Sequence, residues 1–318
     1  MAQLYFKMNN KKEFLKDIDK GLDKTVIKNS RFKEDEVRVD ISGNQKTIII
    51  TELCNSKCLM CLGSLKKNIT YSKEKVFESI DEFIDGSEEV IQLSGGEPTI
   101  RSDLKQILLK IKENNPNASI QLNTNGRMFY YESFLDNIKD HFDSVLTEIH
   151  GPNSNIHDEI TQSKGSFNQT IKGINNLIKE NKKVTIIILI NKINYKHLEE
   201  ISELINNFEN VSVQFKYTWF VNNAKNNFEK LFIKVTNIAP YLQKAIDKLN
   251  HNFSIKYFPI CIFNKKYYDY VLKESFVIDK REKKPNSECK ICKYKEKCNG
   301  IWVNYPSKLK KSEFTPIK

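Results

Sequence analysis

Lys46-Thr-Ile-Ile-Ile-Thr-Glu-Leu-Cys54-Asn-Ser-Lys-Cys58-Leu-Met-Cys61 joins a β-branched run to three closely spaced cysteines. Lys46 to Thr51 predicts a strand, because β-branched residues pack well on a pleated surface. The cysteines follow at once, in the spacing C-x-x-x-C-x-x-C. Three thiolates can hold a cube of four irons and leave the fourth iron without a protein ligand. A fully ligated cluster mostly carries electrons, whereas an open iron binds a small molecule and does chemistry on it.

Downstream, the chain alternates between two periodicities. Strands are predicted at 89–93, 119–122, 144–149, 184–190 and 211–215. Helices are predicted at 71–83, with Ser72 as N-cap, and at 103–114, 134–141, 167–180 and 198–208. The run Val184-Thr-Ile-Ile-Ile-Leu-Ile190 is apolar enough to be buried on both faces. Six strands alternating with helices imply a parallel sheet with right-handed crossovers. Six units are too few for a closed eight-fold barrel. The fold class is therefore α/β, an open partial (β/α)6 barrel, with its chemistry on the loops after the strands. Cys54 lies on the first such loop. The expected organisation is an N-terminal extension (1–45, with a short helix at 11–22), a core (46–234) and a small C-terminal domain (235–318, opening with a helix at 241–249).

Composition narrows the class further. The 318 residues carry a formal charge of +11 and a pI near 9.1. Those charges are scattered in short runs, which favours a decorated surface over a nucleic-acid arm. No apolar stretch is long enough to span a bilayer, and the first residues lack a signal-peptide core, so a cytoplasmic location is expected. An odd number of cysteines in tight clusters points to metal rather than disulfides.

A second motif, Ser94-Gly-Gly-Glu-Pro98, follows the second strand. Two glycines permit close backbone approach to a ligand, and Glu97 offers an acceptor for a cationic group. Alone, G-G-E-P reads as a turn. One β–α unit after the cysteines, it resembles the pairing found in radical S-adenosylmethionine (radical SAM) enzymes, over residues 46–215. That resemblance implies Cys54, Cys58 and Cys61 as ligands of a 4Fe–4S cluster. It implies S-adenosylmethionine bound through its amino and carboxylate groups on the open iron, with Gly95, Gly96 and Glu97 at the amino end. It further implies reductive cleavage to a 5′-deoxyadenosyl radical, hydrogen abstraction from substrate, and an electron donor such as flavodoxin or ferredoxin.

Softer matches extend the resemblance. Asn123-Thr-Asn-Gly126 resembles a family T-N-G, which makes Asn125 a cofactor-contact candidate. Ile149-His-Gly-Pro152 resembles I-D-G-P, and Glu148 falls at a ribose-contact position. Gly165-Ser-Phe167 resembles a helix-opening G-S-F. Thr161 stands where relatives often carry an arginine for the cofactor carboxylate, and Lys164 is the nearest cationic substitute. His150 and His157 read as hydrogen-bonded structural histidines.

The remaining cysteines are Cys261, Cys289, Cys292 and Cys298. By chemistry alone, four cysteines suit zinc or iron–sulfur equally. The stretch C-x-x-C-x-x-x-x-x-C-x-G resembles the end of SPASM and twitch auxiliary-cluster domains, which implies one auxiliary 4Fe–4S cluster. The aromatic residues around Cys261 read as packing. The resulting expectation is a radical SAM oxidoreductase or maturase acting on a peptide or small metabolite. Two rivals are modification of a nucleotide or RNA, and a non-catalytic iron–sulfur or zinc scaffold.

Overall fold

The computed structural model describes residues 37–63, 69–272, 287–298, 300–302, 305–306, 309 and 313–318. One sheet of eight strands, ordered along the chain, forms the frame. Strand β1 (Arg38–Ser42) pairs antiparallel with β2 (Gln45–Thr51). From β2 onward every neighbour is parallel: β3 (Val90–Gly95), β4 (Ser119–Asn123), β5 (Ser144–Glu148), β6 (Lys183–Ile190), β7 (Val211–Tyr217) and β8 (Asn252–Lys256). β1 and β8 do not pair with each other, so the sheet stays open, as the count of βα units predicts.

The six expected strands all form. The sheet also runs one strand further at each end, into segments read from sequence as flanking regions. β1 escapes notice because Arg38-Val-Asp-Ile-Ser is charged and mostly exposed. β8 follows a long helix, Val235–Lys248, which begins six residues before the expected start and contains Pro240. The helix expected at 11–22 lies outside the described residues.

The core lies between the sheet's convex face and its helices. Ile48, Ile91, Leu93, Ile120, Leu122, Val145, Ile186, Ile188, Val213 and Phe215 are buried there. Against them pack helix Lys73–Phe83, capped by the Ser72 hydroxyl on the Lys75 N–H at 3.3 Å, and helix Leu104–Asn114. The concave face is different. Alternate residues there form a polar ladder across four strands. Thr47 Oγ1 lies 3.2 Å from Gln92 Oε1, Gln92 donates to Gln121 (3.0 Å), and Gln121 to Ser144 (3.2 Å). β6 therefore departs from the two-sided burial its composition predicts. Val184, Ile186, Ile188 and Ile190 are buried on one face; on the other Ile187 is buried while Thr185 and Leu189 are half-buried. An open sheet leaves that face lining a cleft. No described helix is long and apolar enough to cross a membrane.

Candidate metal and cofactor site

The loop after β2 carries Cys54, Cys58 and Cys61, and three neighbouring loops brace it along its length. The first brace comes from the glycine pair. The Gly96 N–H donates to the Thr51 carbonyl (2.7 Å) and the Glu97 N–H to the Leu53 carbonyl (2.7 Å). A Cβ on Gly95 would stand 2.0 Å from the Thr51 oxygen, and one on Gly96 2.1 Å from the Leu53 oxygen. Gly95 also has φ +137°. These glycines thus admit close approach by the chain's own backbone, the segment leading into Cys54.

Glu97, expected as an acceptor for a cationic group, accepts from the chain's own donors in this structure. It is fully buried. Its Oε1 accepts from the Thr99 N–H (3.0 Å), the Thr99 hydroxyl and the Thr124 hydroxyl (2.6 Å), and its Oε2 from the Asn125 N–H (2.7 Å). Burial pushes its pKa up, against the pull of these donors. Glu97 is a pin between the loops after β3 and β4. It places Asn125, whose side-chain amide reaches Asn55 Oδ1 (2.7 Å) and Cys54 Sγ (3.9 Å). Gly126 takes a left-handed φ of +79°, where a Cβ would press to 2.8 Å from the Thr147 hydroxyl.

The second brace is a helix that sequence reading missed, Ser154–Thr161. Its last carbonyls accept from the loop: Lys57 N–H to Thr161 (3.0 Å) and Leu59 N–H to Ile160 (2.9 Å). Thr161 is buried, with its hydroxyl 2.7 Å from that of Ser166, and Lys164 is exposed. Asp158 accepts from the Gly165 and Phe167 N–H groups (2.6 and 2.8 Å) and from the Ser166 hydroxyl (2.8 Å). That fixes the Gly165-Ser-Phe turn which opens helix Ser166–Lys179. Burial raises the Asp158 pKa, but these donors outweigh it and hold the carboxyl below its usual range.

The third brace comes from the other side of the sheet. Asn223 donates to the Cys58 carbonyl (2.7 Å), Asn227 to the Leu59 carbonyl (3.3 Å), and Asn222 to the Leu62 carbonyl. These asparagines follow β7, so side-chain amides close at the mouth a barrel that the sheet leaves open. The stretch Asn-Asn-Ala-Lys-Asn-Asn (222–227) has no apolar period, and only its amide-rich composition hinted at a role. Arg127, also missed, lies directly after the T-N-G match and contacts the same loop.

The three thiols face one another electrostatically. Burial pushes Cys54 up to about 11, with Glu97 and Cys61 adding to the rise. Cys58 is raised further by burial, Glu148, Cys54 and Cys61, and Cys61 by burial and Glu148. Glu148, at the end of β5, thus bears electrostatically on two of the cysteines. Burial raises its own pKa, but the His150 ring 3.2 Å away, together with Lys216, more than offsets this and keeps the carboxyl low. His150 is buried; its N–H donates to His157 Nδ1 (3.3 Å), and its own Nδ1 meets no partner among the described residues. Burial, with the charges of His150 and Arg127 adding to it, lowers His157 to about 3, the pKa of a structural, neutral imidazole.

The second cysteine group assembles at the far edge. Burial pushes Cys261 up to about 12, with Cys298, Cys289 and Cys292 adding smaller electrostatic contributions. Cys298 Sγ accepts from the Ile260 and Gly300 N–H groups (3.4 and 3.3 Å). Trp302 anchors this region. Its indole N–H donates to the Tyr217 carbonyl (3.1 Å), and its ring stacks between Trp219 (4.8 Å) and Tyr257 (3.8 Å). Phe258, Phe263 and Tyr267 are buried, in keeping with packing. Both groups suit a cationic metal cluster. Burial holds Cys54, Cys58, Cys61 and Cys261 toward the neutral thiol, and a bound cluster would supply the positive charge that favours the thiolate. Among the described residues no three His, Cys, Asp or Glu side chains are placed to hold a single metal ion.

Comparison with known proteins places the fold in a family. The radical SAM superfamily matches residues 48–205, and the chain belongs to that superfamily. It is similar to the GTP 3′,8-cyclase of Nautilia profundicola, at 24% identity over 255 residues, covering 77% of this chain and 74% of the relative. It is 28% identical over 174 residues to the Fe-coproporphyrin III synthase of Methanosarcina barkeri, covering 52% and 43%. Among solved structures, SuiB of Streptococcus suis bound to precursor peptide SuiA shares the fold with TM-score 0.55 and 16% identity, covering 77% and 61%. SuiB bound to S-adenosylmethionine gives 0.54 and 17%, covering 66% and 49%. The chain thus spans under half of the synthase and about half to three fifths of SuiB. Membership of that superfamily brings a 4Fe–4S cluster and S-adenosylmethionine as cofactors.

Proposed function

We propose that Cys54, Cys58 and Cys61 ligate the 4Fe–4S cluster, and that S-adenosylmethionine binds beside it against the backbone of Gly95 and Gly96, Asn125 and Glu148. The observation that carries this reading is the loop itself. Three desolvated thiols stand at the mouth of the cleft, and the Gly95–Glu97 backbone is bonded to the residues leading into Cys54. Bound there, the two cofactors supply one-electron chemistry that ends in hydrogen abstraction from substrate.

The protein's own part is placement and exclusion of water. Glu97 holds the loops after β3 and β4 in register. The asparagines after β7 close the mouth. Glu148, kept ionised by His150, accepts hydrogen bonds from a hydroxyl-bearing group. Cys261, Cys289, Cys292 and Cys298 supply four ligands, enough to close an auxiliary 4Fe–4S cluster that accepts an electron. A flavodoxin or ferredoxin is the fitting donor for the first.

The substrate is a peptide or small metabolite, modified as in an oxidoreductase or maturase. The concave face supports this, because its ladder of amides and hydroxyls matches the hydrogen-bonding groups of a peptide. A second reading, a nucleotide substrate, is favoured by similarity to the GTP 3′,8-cyclase. Anaerobic reconstitution should give roughly eight irons per chain, two four-iron cubes, and dithionite should drive cleavage of S-adenosylmethionine. Replacing Cys54, Cys58 and Cys61 with alanine should leave about four irons and no cleavage. A wild-type protein with about four irons and one zinc would remove the auxiliary cluster. GTP consumption without peptide modification would select the second reading.

A further inference from the structure

Arg127 holds a position that the reading above does not use. It follows the loop after β4, and its guanidinium reaches three separate elements. Nε donates to Gln169 Oε1 (2.7 Å) on helix Ser166–Lys179. Nη1 donates to the Ser56 hydroxyl (2.9 Å), to the Ser163 hydroxyl (3.2 Å) and to the Asn55 carbonyl. The Ser163 hydroxyl donates to that same carbonyl (3.2 Å). The backbone N–H of Arg127 is itself held by Asn125 Oδ1 (3.1 Å).

Two features distinguish this from an ordinary surface arginine. Its side-chain acceptors are all neutral, so no carboxylate cancels its charge through these contacts. Its targets, Asn55 and Ser56, lie between Cys54 and Cys58. The charge is felt there: Arg127 acts on Cys54 to favour the thiolate and on His157 to favour the neutral ring. A rigid guanidinium fork suits such a task better than a flexible ammonium, because less freedom is lost per hydrogen bond formed.

We propose that Arg127 is the positioning residue of the first cysteine loop and the fixed positive charge beside its cluster. The inference rests on the assignment of Cys54, Cys58 and Cys61 as ligands. It makes two separable claims. The fork sets the conformation of residues 55–56, and the charge favours the reduced, more negative state of the cluster, because a fixed cation lowers the energy of added negative charge.

The test uses the full chain with Arg127→Gln and Arg127→Lys. Each is reconstituted and titrated with a reductant while the cluster's spectroscopic signal is followed. Arg127→Gln should lower the reduced fraction at a fixed potential by about tenfold, a downward shift of about 59 mV for a one-electron couple. Arg127→Lys, which keeps the charge, should stay close to wild type. A residue that only supports the fold would leave the potential unmoved in both variants, or move it equally in both, and either result overturns the charge claim.

Hydrogen exchange on iron-free protein tests the fork independently of loading. Amides of residues 55–61 should exchange faster in both variants than in wild type, with the sheet unchanged. Unchanged exchange there overturns the positioning claim. If wild-type iron content is unaffected by loss of Cys54, Cys58 and Cys61, the cluster assignment fails instead, and the exchange arm still decides the fork.

Discussion

The two cysteine regions are built on opposite plans. The first places three thiols on one short loop and surrounds it with partners that are not cysteines: the Gly96 and Glu97 amides, the end of helix Ser154–Thr161, and three asparagines after β7. The second draws four thiols from a longer stretch, and among its described contacts Cys298 Sγ accepts from the Ile260 and Gly300 N–H groups. Protein alone holds the first loop in shape. In the second, burial around Cys261 disfavours a free thiolate, which a bound metal would favour. A site that does chemistry on an exchangeable small molecule gains from a preformed cradle. A closed electron carrier needs only ligands and a hydrophobic seat.

The largest expected effect separates these plans by function. Cys292→Ala should abolish product formation while leaving S-adenosylmethionine cleavage in dithionite at the wild-type rate, since cleavage uses only the first loop. Measured as 5′-deoxyadenosine against modified substrate, a soluble Cys292→Ala protein that still makes product at full rate would erase the functional half of the contrast.

Next in size is the glycine brace. Gly96→Ala drives a Cβ against the backbone oxygen of Leu53 and the carbonyl carbon of Glu52 (2.1 and 2.6 Å), neither of which can swing away. Overpacking of this kind costs about 1 to 3 kcal/mol. Thermal melting of iron-free protein should show a Tm lower by several degrees. An unshifted Tm with full iron loading would mean that the cradle is softer than described.

Glu97→Gln sharpens the same point more gently. An amide replaces one acceptor oxygen with a donor, so at least one of the Thr99, Thr124 and Asn125 donors loses its partner. The penalty for a buried unsatisfied group is about 1 to 3 kcal/mol. Hydrogen exchange should rise at residues 97–99 and 123–126 together, because the pin joins those loops. A fall in cofactor affinity with no change in exchange would restore Glu97 as a direct ligand contact.

The smallest effect is a pH dependence confined to the first region. His157 sits on the bracing helix with a folded pKa of about 3 against an ordinary 6.5. The unfolded chain then binds the extra proton between those values, so this contribution to stability is full above 6.5 and declines as pH falls toward 3. Between pH 7 and 5.5 the loss should be about 1 kcal/mol. Denaturant unfolding of wild type and His157→Asn at the two pH values checks it. Equal slopes would show that the ring is not held neutral by the fold.

Much of this protein was legible in its sequence, for local reasons. β-branched runs against 3.6-period helices gave six strands in the right order, because each pattern reports burial on one face of its own element. Cys54, Cys58 and Cys61 stood out because their ligand chemistry depends on spacing within one loop. The Ser72 cap and the Asn123-Thr-Asn-Gly126 turn were equally local. What the sequence could not reveal was who faces whom. Glu97 read as an acceptor, but its donors were not visible, because only the fold brings Thr124 and Asn125 to its oxygens. Gly95 and Gly96 suggested close approach by a ligand, and the fold shows that they also make room for Thr51 and Leu53. Arg127 and the asparagines at 222–227 carry no periodic signal. They reach Asn55 and Cys58 across more than seventy residues of chain, and pairing at that separation is decided only when parallel strands bring their loops to one mouth.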